Sequence, residues 1–387
     1  MDELNQTPIR VMRIIARMNV GGPAVQVAGL MRGFNASEFD HRLYTGFCAA
    51  DEEDYLESTA NDVSAMRIVG FGRRVNLASD LRALITLVKE IRNFKPQIIH
   101  THTAKAGFLG RIASLISLQP SMRVHTFHGH LLNGYFGWFK RWLVIVAEKI
   151  LATFTHQLLA VGDKVRQDLL DVGIGSPKKF DLMPPGLEIG MLPNRGESQE
   201  FYGLPRNTLH CAFIGRVTQI KRPDRFLDVV SEIKKRGIDV DFFIAGDGEL
   251  LKICRERIIR ENLPVSILGW QSNIERMLAT ADMLILTSDN EGTPLSLIQA
   301  GMAGLPVVAT KVGSVPEVVL HDVTGIVTGL GIGEIADAIE RLAKAKGLRE
   351  ELGLAAQKFT LGNFGVKRLV RDHEMMYKSL QANRAKS

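Results

Sequence analysis

Apolar and polar positions come in blocks along this chain, and the period of the blocks keeps changing. Residues 11–16 are almost continuously apolar, as in a strand buried on both faces, and residues 24–34 have helical spacing. Residues 43–48 and 67–69 read as short strands, 81–94 repeat at helical period, and 96–100 return to strand. Residues 124–128 and 157–161 continue the series. Apolar strands separated by amphipathic helices predict a doubly wound parallel sheet.

The pattern then breaks and restarts. Pro184-Pro185-Gly186 and the polar run 193–207 read as a linker. Strands follow at 209–214, 240–245, 265–268, 283–287 and 307–310, with helices at 223–236 and 250–261. The fold class predicted is therefore α/β, with two similar Rossmann-like lobes and a cleft between them. The boundaries are 1–185, a linker at 186–207, a second domain at 208–358 and a helical tail at 359–387.

Composition changes this picture only at the margins. The 387 residues are enough for two domains, and the 45% apolar content supports two cores. A net charge of +6 favours anionic partners without choosing among them. Cys48, Cys211 and Cys254 show no metal or redox spacing, which suits a reducing compartment. Residues 1–15 lack the apolar core of a secretory leader, and no apolar stretch reaches transmembrane length. The expectation is a cytoplasmic protein.

Candidate chemistry lies in the loops after strands, where open parallel sheets bind ligands. The most informative is Glu291-Gly-Thr-Pro-Leu-Ser-Leu-Ile-Gln299. Thr293 can cap the helix that follows, and Pro294 suits its first position. The free N–H groups of Leu295 and Ser296 then face an anion such as a phosphate. Glu291 sits in the loop ahead, and Gln299 lies about two helical turns further on.

Gly215-Arg216, with Lys221 shortly after, places two cations where they can clamp a diphosphate and neutralise a leaving group. Gly246-Asp247 and Leu268-Gly269-Trp270 end neighbouring strands and can wall a nucleotide site. In the first lobe, Gly21-Gly22-Pro23 lets backbone approach a ligand ahead of a helix. His128, at another strand end, can donate a hydrogen bond to a sugar or a developing charge. Strand alternation puts His125 and His128 on opposite faces, so a shared metal is not expected. Asp239-Val-Asp241 resembles a metal-binding acid pair but opens a strand rather than ending one, and Gly329-Leu-Gly-Ile-Gly333 lacks dinucleotide spacing.

Taken together these pieces resemble glycosyltransferase family 4, of the GT-B fold. In the second lobe the likeness rests on Gly215-Arg216 with Lys221, Ala245-Gly-Asp-Gly248, Glu291 with Gln299, and Val312-Gly-Ser-Val-Pro-Glu317. In the first lobe it rests on Gly21-Gly22, His100-Thr-His102, Lys105-Ala-Gly-Phe-Leu-Gly-Arg111 and Thr126-Phe-His-Gly129. The resemblance implies retaining transfer from a nucleotide-diphospho sugar, without a metal or other cofactor. It implies that Arg216 and Lys221 bind the diphosphate and that Glu291 contacts sugar hydroxyls. Thr293–Ser296 would contact sugar and phosphate, and His128 would lie at the reaction centre. It also places Gly21 and Gly22 by the donor phosphates and acceptor, Lys105 and Arg111 on the acceptor side, and the last helix back across the first domain. The family usually has Glu where this chain has Gln299, whose neutral amide accepts a ribose hydroxyl about 1 kcal/mol less well.

On the acceptor side Tyr135, Trp138, Phe139 and Trp142 share one helical face with positions 145 and 146, beside Lys140 and Arg141. A core helix and a face for an anionic membrane or lipid-linked acceptor both fit; the second would put the protein peripherally on the inner face of the cytoplasmic membrane. The transferase reading expects a nucleotide sugar, UDP-linked, with a lipid-linked or oligosaccharide acceptor and no nucleic acid. A nucleotide-sugar epimerase of the same architecture and a non-catalytic sugar-binding or membrane-associated protein remain open beside it.

Overall fold

The computed structural model describes residues 7–73, 75–129 and 138–386. Contacts divide the chain into two units: residues up to Leu187 together with those from Val366 onward, and Glu188–Gly365.

In unit 1 the strands are β1 (Ile9–Ile15), β2 (Phe39–Thr45), β3 (Ala65–Arg67), β4 (Ile98–His102), β5 (Met122–Phe127), β6 (Gln157–Ala160) and β7 (Phe180–Leu182). They form a parallel sheet in the order β3-β2-β1-β4-β5-β6-β7. Unit 2 has β8 (Leu209–Ile214), β9 (Val240–Ala245), β10 (Val265–Gly269), β11 (Met283–Leu286), β12 (Val307–Thr310) and β13 (Ile326–Thr328). Their order is β10-β9-β8-β11-β12-β13, again parallel. Each sheet runs outward in both directions from a central pair, β1/β4 and β8/β11. Those pairs are the switch points, and the loops leaving them diverge to opposite faces and open a crevice.

The strands are apolar because helices cover both faces. In unit 2, Cys211, Phe213, Phe242, Ile244, Met283, Ile285 and Val308 pack under the helices Pro223–Lys235 and Ile332–Lys344. In unit 1, the helix Ala104–Ser117 lies tightly on the sheet through glycine. A Cβ on Gly107 would meet His125 Cε1 at 2.4 Å, and one on Gly110 would meet Thr101 Cγ2 at 2.7 Å. That contact accounts for the spacing of Lys105-Ala-Gly-Phe-Leu-Gly-Arg111 without any ligand.

Two boundaries differ from the sequence expectation. The stretch assigned to a linker at 186–207 contains the helix Arg195–Phe201, capped by Asn194, and from Glu188 onward it belongs to unit 2. Arg195 there forms a two-pronged pair with Asp282 at 2.6 and 2.8 Å, so its charges tie a helix down rather than solvate a tether. The tail expected at 359–387 is two helices, Lys346–Phe364 and Val366–Lys386, broken at Gly365 in extended conformation. The second helix packs in unit 1 through Leu369, Val370, Tyr377 and Leu380. Gly33 makes room for it: a Cβ there would lie 2.3 Å from Val370 Cγ2.

Candidate active site

In unit 2 the switch point gathers most of the residues singled out from the sequence. β8 ends at Ile214, Gly215 and exposed Arg216 follow, and the chain returns through a short 3₁₀ turn, Gln219–Lys221. β11 ends next door, and its loop carries Glu291. Lys221 Nζ donates to Glu291 Oε1 at 2.5 Å, and Ser288 Oγ donates to the same oxygen at 2.5 Å. The Glu291 side chain is only 9% exposed and that of Lys221 21%, so the pair is mostly withdrawn from water, where its attraction is strengthened.

The two loops are strapped together along their length. Thr287 Oγ1 donates to the carbonyls of Lys221 and Arg222 at 3.1 Å each. Arg225, buried, donates to Thr287 O at 2.7 Å and pairs with Asp289 at 2.8 Å. Asp289 N reaches Ile220 O at 2.9 Å. On the far side Gly313, at φ 50°, lies against the Glu291 backbone so closely that a Cβ would stand 1.7 Å from Glu291 O. Backbone and side chain of Glu291 are thus both held before any ligand arrives, as preorganised chemistry requires.

The helix after Glu291 is Leu295–Met302, and Pro294 is its cap. This corrects the expected start: Thr293 does not cap it and Pro294 is not its first residue. Proline at the cap, φ −74° and ψ 101°, already turns the chain into the helix. Leu297 N and Ile298 N bond back to Pro294 O, so Leu295 and Ser296 are left as the N–H groups at the helix start. Gln299 lies further along this helix, half-buried. Gly246 follows β9 against Gly215, and a Cβ would stand 1.9 Å from Gly215 O, so this wall must be glycine. Asp247 is exposed and accepts from its neighbour Gly248 N; Leu268 is half-buried, and Trp270 is 50% exposed. Asp241, of the rejected acid pair, accepts from Thr208 Oγ1 at 2.8 Å.

In unit 1 the same logic applies to β1 and β4. Gly21 precedes the helix Gly22–Gly33 at φ 157°, ψ 175°, backbone that side chains rarely adopt. After β4, Thr103 holds φ 68° and ψ 157°, a strained conformation for a β-branched residue costing about 1–3 kcal/mol. His128 follows β5, and its Nε2 lies 2.8 Å from Nδ1 of His102 on β4. Behind them lies a fully buried arginine, Arg13 of β1, which the sequence reading did not pick out. Its signal was a cation inside the otherwise apolar run 11–16, together with His100 and His102 two residues apart on one face of the neighbouring strand.

The imidazoles around Arg13 are held neutral. Burial, then the Arg13 charge, pushes His41 and His100 well below their ordinary value of 6.5. Burial, His100 and Arg13 do the same to His102, and burial with Arg111 to His125. For the same reasons, burial first and Arg13 second, His128 and His373 fall from 6.5 to about 3. An unfolded chain protonates these rings near pH 6.5, so below that pH it binds more protons than the folded one. Stability is therefore full above pH 6.5 and declines as pH falls towards the folded values of about 3. Each ring adds a slope of up to about 1.4 kcal/mol per pH unit. Denaturant midpoints measured from pH 7 down to 4 should fall steeply; a flat profile would contradict neutral burial.

Arg111 is corrected by the structure. It is 1% exposed, and its guanidinium donates to both carboxylate oxygens of Glu148 at 2.8 and 2.6 Å and to Gly107 O at 2.7 Å. An arginine so committed ties the helix Ala104–Ser117 to the helix Trp138–Thr153 and has no reach to an acceptor. Lys105 pairs with Asp80 at 2.6 Å, half-buried. Tyr135 lies outside the described residues, as does the side chain of Phe139. Trp138 and Trp142 are 83% and 55% exposed. Glu148, Leu151 and Ala152 of that helix turn inward, whereas the two tryptophans of the aromatic face do not.

Among the described residues, no group of three His, Cys, Asp or Glu side chains could hold a metal ion, and no helix is long and apolar enough to cross a membrane.

Known proteins share both halves of this arrangement. Residues 20–190 match the family described as Glycosyltransferase Family 4, and residues 194–359 that described as Glycosyl transferases group 1. The chain is a family 4 glycosyltransferase. As such it is an enzyme, and its two Rossmann-like units are those of the GT-B fold. A UDP-Gal:alpha-D-GlcNAc-diphosphoundecaprenol alpha-1,3-galactosyltransferase of Escherichia coli is 29% identical over 76% of this chain and 77% of its own. The capsular polysaccharide biosynthesis glycosyltransferase CapM of Staphylococcus aureus is 23% identical over 84% and 87%. Among solved structures, Anabaena HepE in complex with UDP and glucose superposes with a TM-score of 0.81 at 18% identity, covering 96% of this glycosyltransferase and 100% of HepE. That last likeness is one of fold.

Proposed function

We propose that this glycosyltransferase moves a hexosyl or N-acetylhexosaminyl group from a UDP-sugar, with retention at the anomeric carbon, to a saccharide on a lipid diphosphate. The observation that carries the reading is the Lys221–Glu291 pair at the β8/β11 switch point, 2.5 Å apart and mostly withdrawn from water. A relative that uses UDP-galactose and an undecaprenol-diphosphate acceptor supports the two substrate classes.

The chemistry is a displacement at C1. The bond from C1 to the β-phosphate oxygen breaks, and its electron pair leaves with UDP. The acceptor hydroxyl oxygen bonds C1 on the same face, and its proton passes to the departing β-phosphate. The barrier lies in charge building on the diphosphate, and fixed cations aimed there lower it. Lys221 and Arg216 supply that charge, and the N–H groups of Leu295 and Ser296 add a helix start. No divalent cation is needed for this neutralisation. Glu291 holds hydroxyls of the donor sugar and Gln299 accepts weakly from a ribose hydroxyl, and the family resemblance assigns His128 to the reaction. Gly21 and Gly22 let backbone close on the substrate. Incubating the protein with UDP-hexoses and UDP-N-acetylhexosamines and a lipid-diphosphate saccharide tests this. The product should keep the donor's anomeric configuration by proton NMR, at a rate unchanged by chelator. An inverted linkage, or a free epimerised sugar, would contradict it.

The acceptor's lipid gives the exposed aromatic helix a purpose. Trp138, Trp142, Leu143 and Ile150 are 83%, 55%, 46% and 55% exposed, beside exposed Arg141 and Lys149. Indole rings and cations together suit the headgroup layer of an anionic membrane, which makes the protein peripheral on the cytoplasmic face. Flotation with anionic vesicles should carry the protein upward, and Trp142→Glu should weaken this several-fold. Equal flotation of both proteins would leave the membrane role without support.

A further inference from the structure

The buried polar cluster of unit 1 fixes where the hydrogen sits on His128. Arg13 can only donate, and among the described residues its four hydrogen-bond partners are three imidazoles and a phenol, with no carboxylate. Its Nε donates to His41 Nε2 at 2.9 Å and its Nη2 to Tyr377 Oη at 2.8 Å. Its Nη1 reaches His102 Nε2 at 2.6 Å and His100 Nδ1 at 3.3 Å.

Each acceptor so defined sets the opposite nitrogen of its ring. His100 Nδ1 accepts from Arg13 and, at 2.5 Å, from the Tyr377 hydroxyl; its hydrogen is then on Nε2, which donates to Thr126 Oγ1 at 2.7 Å. His102 Nε2 accepts, so its hydrogen is on Nδ1. That Nδ1–H can only donate, and its partner at 2.8 Å is His128 Nε2. His128 Nε2 must therefore accept, and a neutral His128 carries its hydrogen on Nδ1. A single origin, a guanidinium that keeps its proton, makes the assignment consistent through His100, His102 and His128.

We propose that Arg13 and His102 are positioning residues that lock His128 in its Nδ1–H tautomer, so that the ring serves the reaction as a neutral hydrogen-bond donor. In this form its Nε2 lone pair is already engaged, which leaves His128 no free basic nitrogen to take a proton from the acceptor. It donates instead to a sugar or phosphate oxygen whose charge grows as the C1–O bond breaks. Because Tyr377 completes the Arg13 coordination, the C-terminal helix is part of the device.

The inference rests on the transferase reading of His128, but its first test does not need activity. Long-range proton–nitrogen NMR on the full chain with labelled histidine reads each ring directly. His128 should show a protonated Nδ1 and an unprotonated Nε2 throughout pH 5.5–8; a protonated Nε2 overturns the assignment whatever the enzyme does. His102→Leu should leave a mixture of His128 tautomers and lower kcat about 10- to 100-fold, with KM for the nucleotide sugar within about twofold. His102→Gln keeps a side-chain N–H for His128 and should recover much of the rate; equal losses in both variants would reduce His102 to a packing role.

The pH profile adds a third reading. The groups facing His128 and its relay are Arg13 from β1, His41 from β2, His100 and His102 from β4, Thr126 from β5, and His373 and Tyr377 from the C-terminal helix. Arg13→Met removes the cation among them while burial, the larger cause, remains, so any acid limb of transfer should move to higher pH without reaching the ordinary histidine value. An unchanged profile in folded Arg13→Met contradicts the relay. If His128→Ala turned over normally, the transferase role of His128 would fall while the tautomer measurement still stood.

Discussion

Lys221→Met should lower turnover by about 10²- to 10³-fold, the usual cost of removing one preorganised charge from a developing anion. Methionine keeps the apolar stem, so packing changes little and the loss falls on the ammonium. That ammonium is aimed by structure on both sides: Thr287 Oγ1 grips its own carbonyl at 3.1 Å, and Glu291 holds its Nζ at 2.5 Å. A lysine held this way pays little to reorganise when UDP begins to leave, and its contribution is made mainly in the transition state. The loss should therefore fall on kcat more than on KM for the nucleotide sugar. Glu291 keeps Ser288 as a hydrogen-bond partner in the variant, at 2.5 Å, so its carboxylate is not left without any partner when the ammonium is removed. A turnover within about tenfold of wild type would mean that the diphosphate charge is met elsewhere.

The largest expected effect on stability lies in unit 1. Glu148→Ala should destabilise it by about 3–5 kcal/mol, because it leaves the Arg111 charge buried without its partner. The two side chains are 1% and 4% exposed, and Arg111 Nη1 already lacks a hydrogen bond among the described residues. Burial alone draws the Arg111 guanidinium below its usual range, and Glu148 is what opposes this. The double replacement Arg111→Met with Glu148→Leu should recover most of the loss, since well-packed apolar groups can replace a buried pair at little cost. Urea unfolding of the three variants checks both statements. A mild Glu148→Ala, below about 1 kcal/mol, would mean that water reaches the pair.

How much of this was legible in the chain depends on the range of the signal. Both sheets were readable because buried parallel strands are continuous apolar runs, and the loops that carry Arg216, Lys221 and Glu291 follow such runs directly. What failed was local wording with two meanings. Thr293-Pro294 fits a cap followed by a first turn, and equally a proline cap one residue later. The polar run before β8 reads as a tether until Asp282, far along the chain, turns its Arg195 into an anchor.

The harder cases depend on partners that are distant in sequence. Arg111 on an amphipathic helix looks like a surface cation, and only Glu148 on another helix makes it internal. The relay through Arg13, His102 and His128 joins three strands or their ends to Tyr377 near the end of the chain. A sequence reading sees a stray arginine and scattered histidines, because strand pairing, not spacing, puts them together. Ser288, which shares the Glu291 oxygen with Lys221, was missed for a simpler reason: a serine near a strand end is common, and nothing in its neighbours singles it out.

The central claim is that unit 2 releases UDP from a bound UDP-sugar by meeting the leaving charge with Lys221. Nucleotide release is the measurement closest to it. Wild-type protein and Lys221→Met would each be given a panel of UDP-sugars, with and without a lipid-diphosphate saccharide. We expect UDP release by the wild type from at least one sugar, raised strongly by the acceptor, and a loss of about 10²-fold or more in the variant. Equal release by the two proteins, or no release by the wild type from any UDP-sugar with acceptor present, would contradict the account.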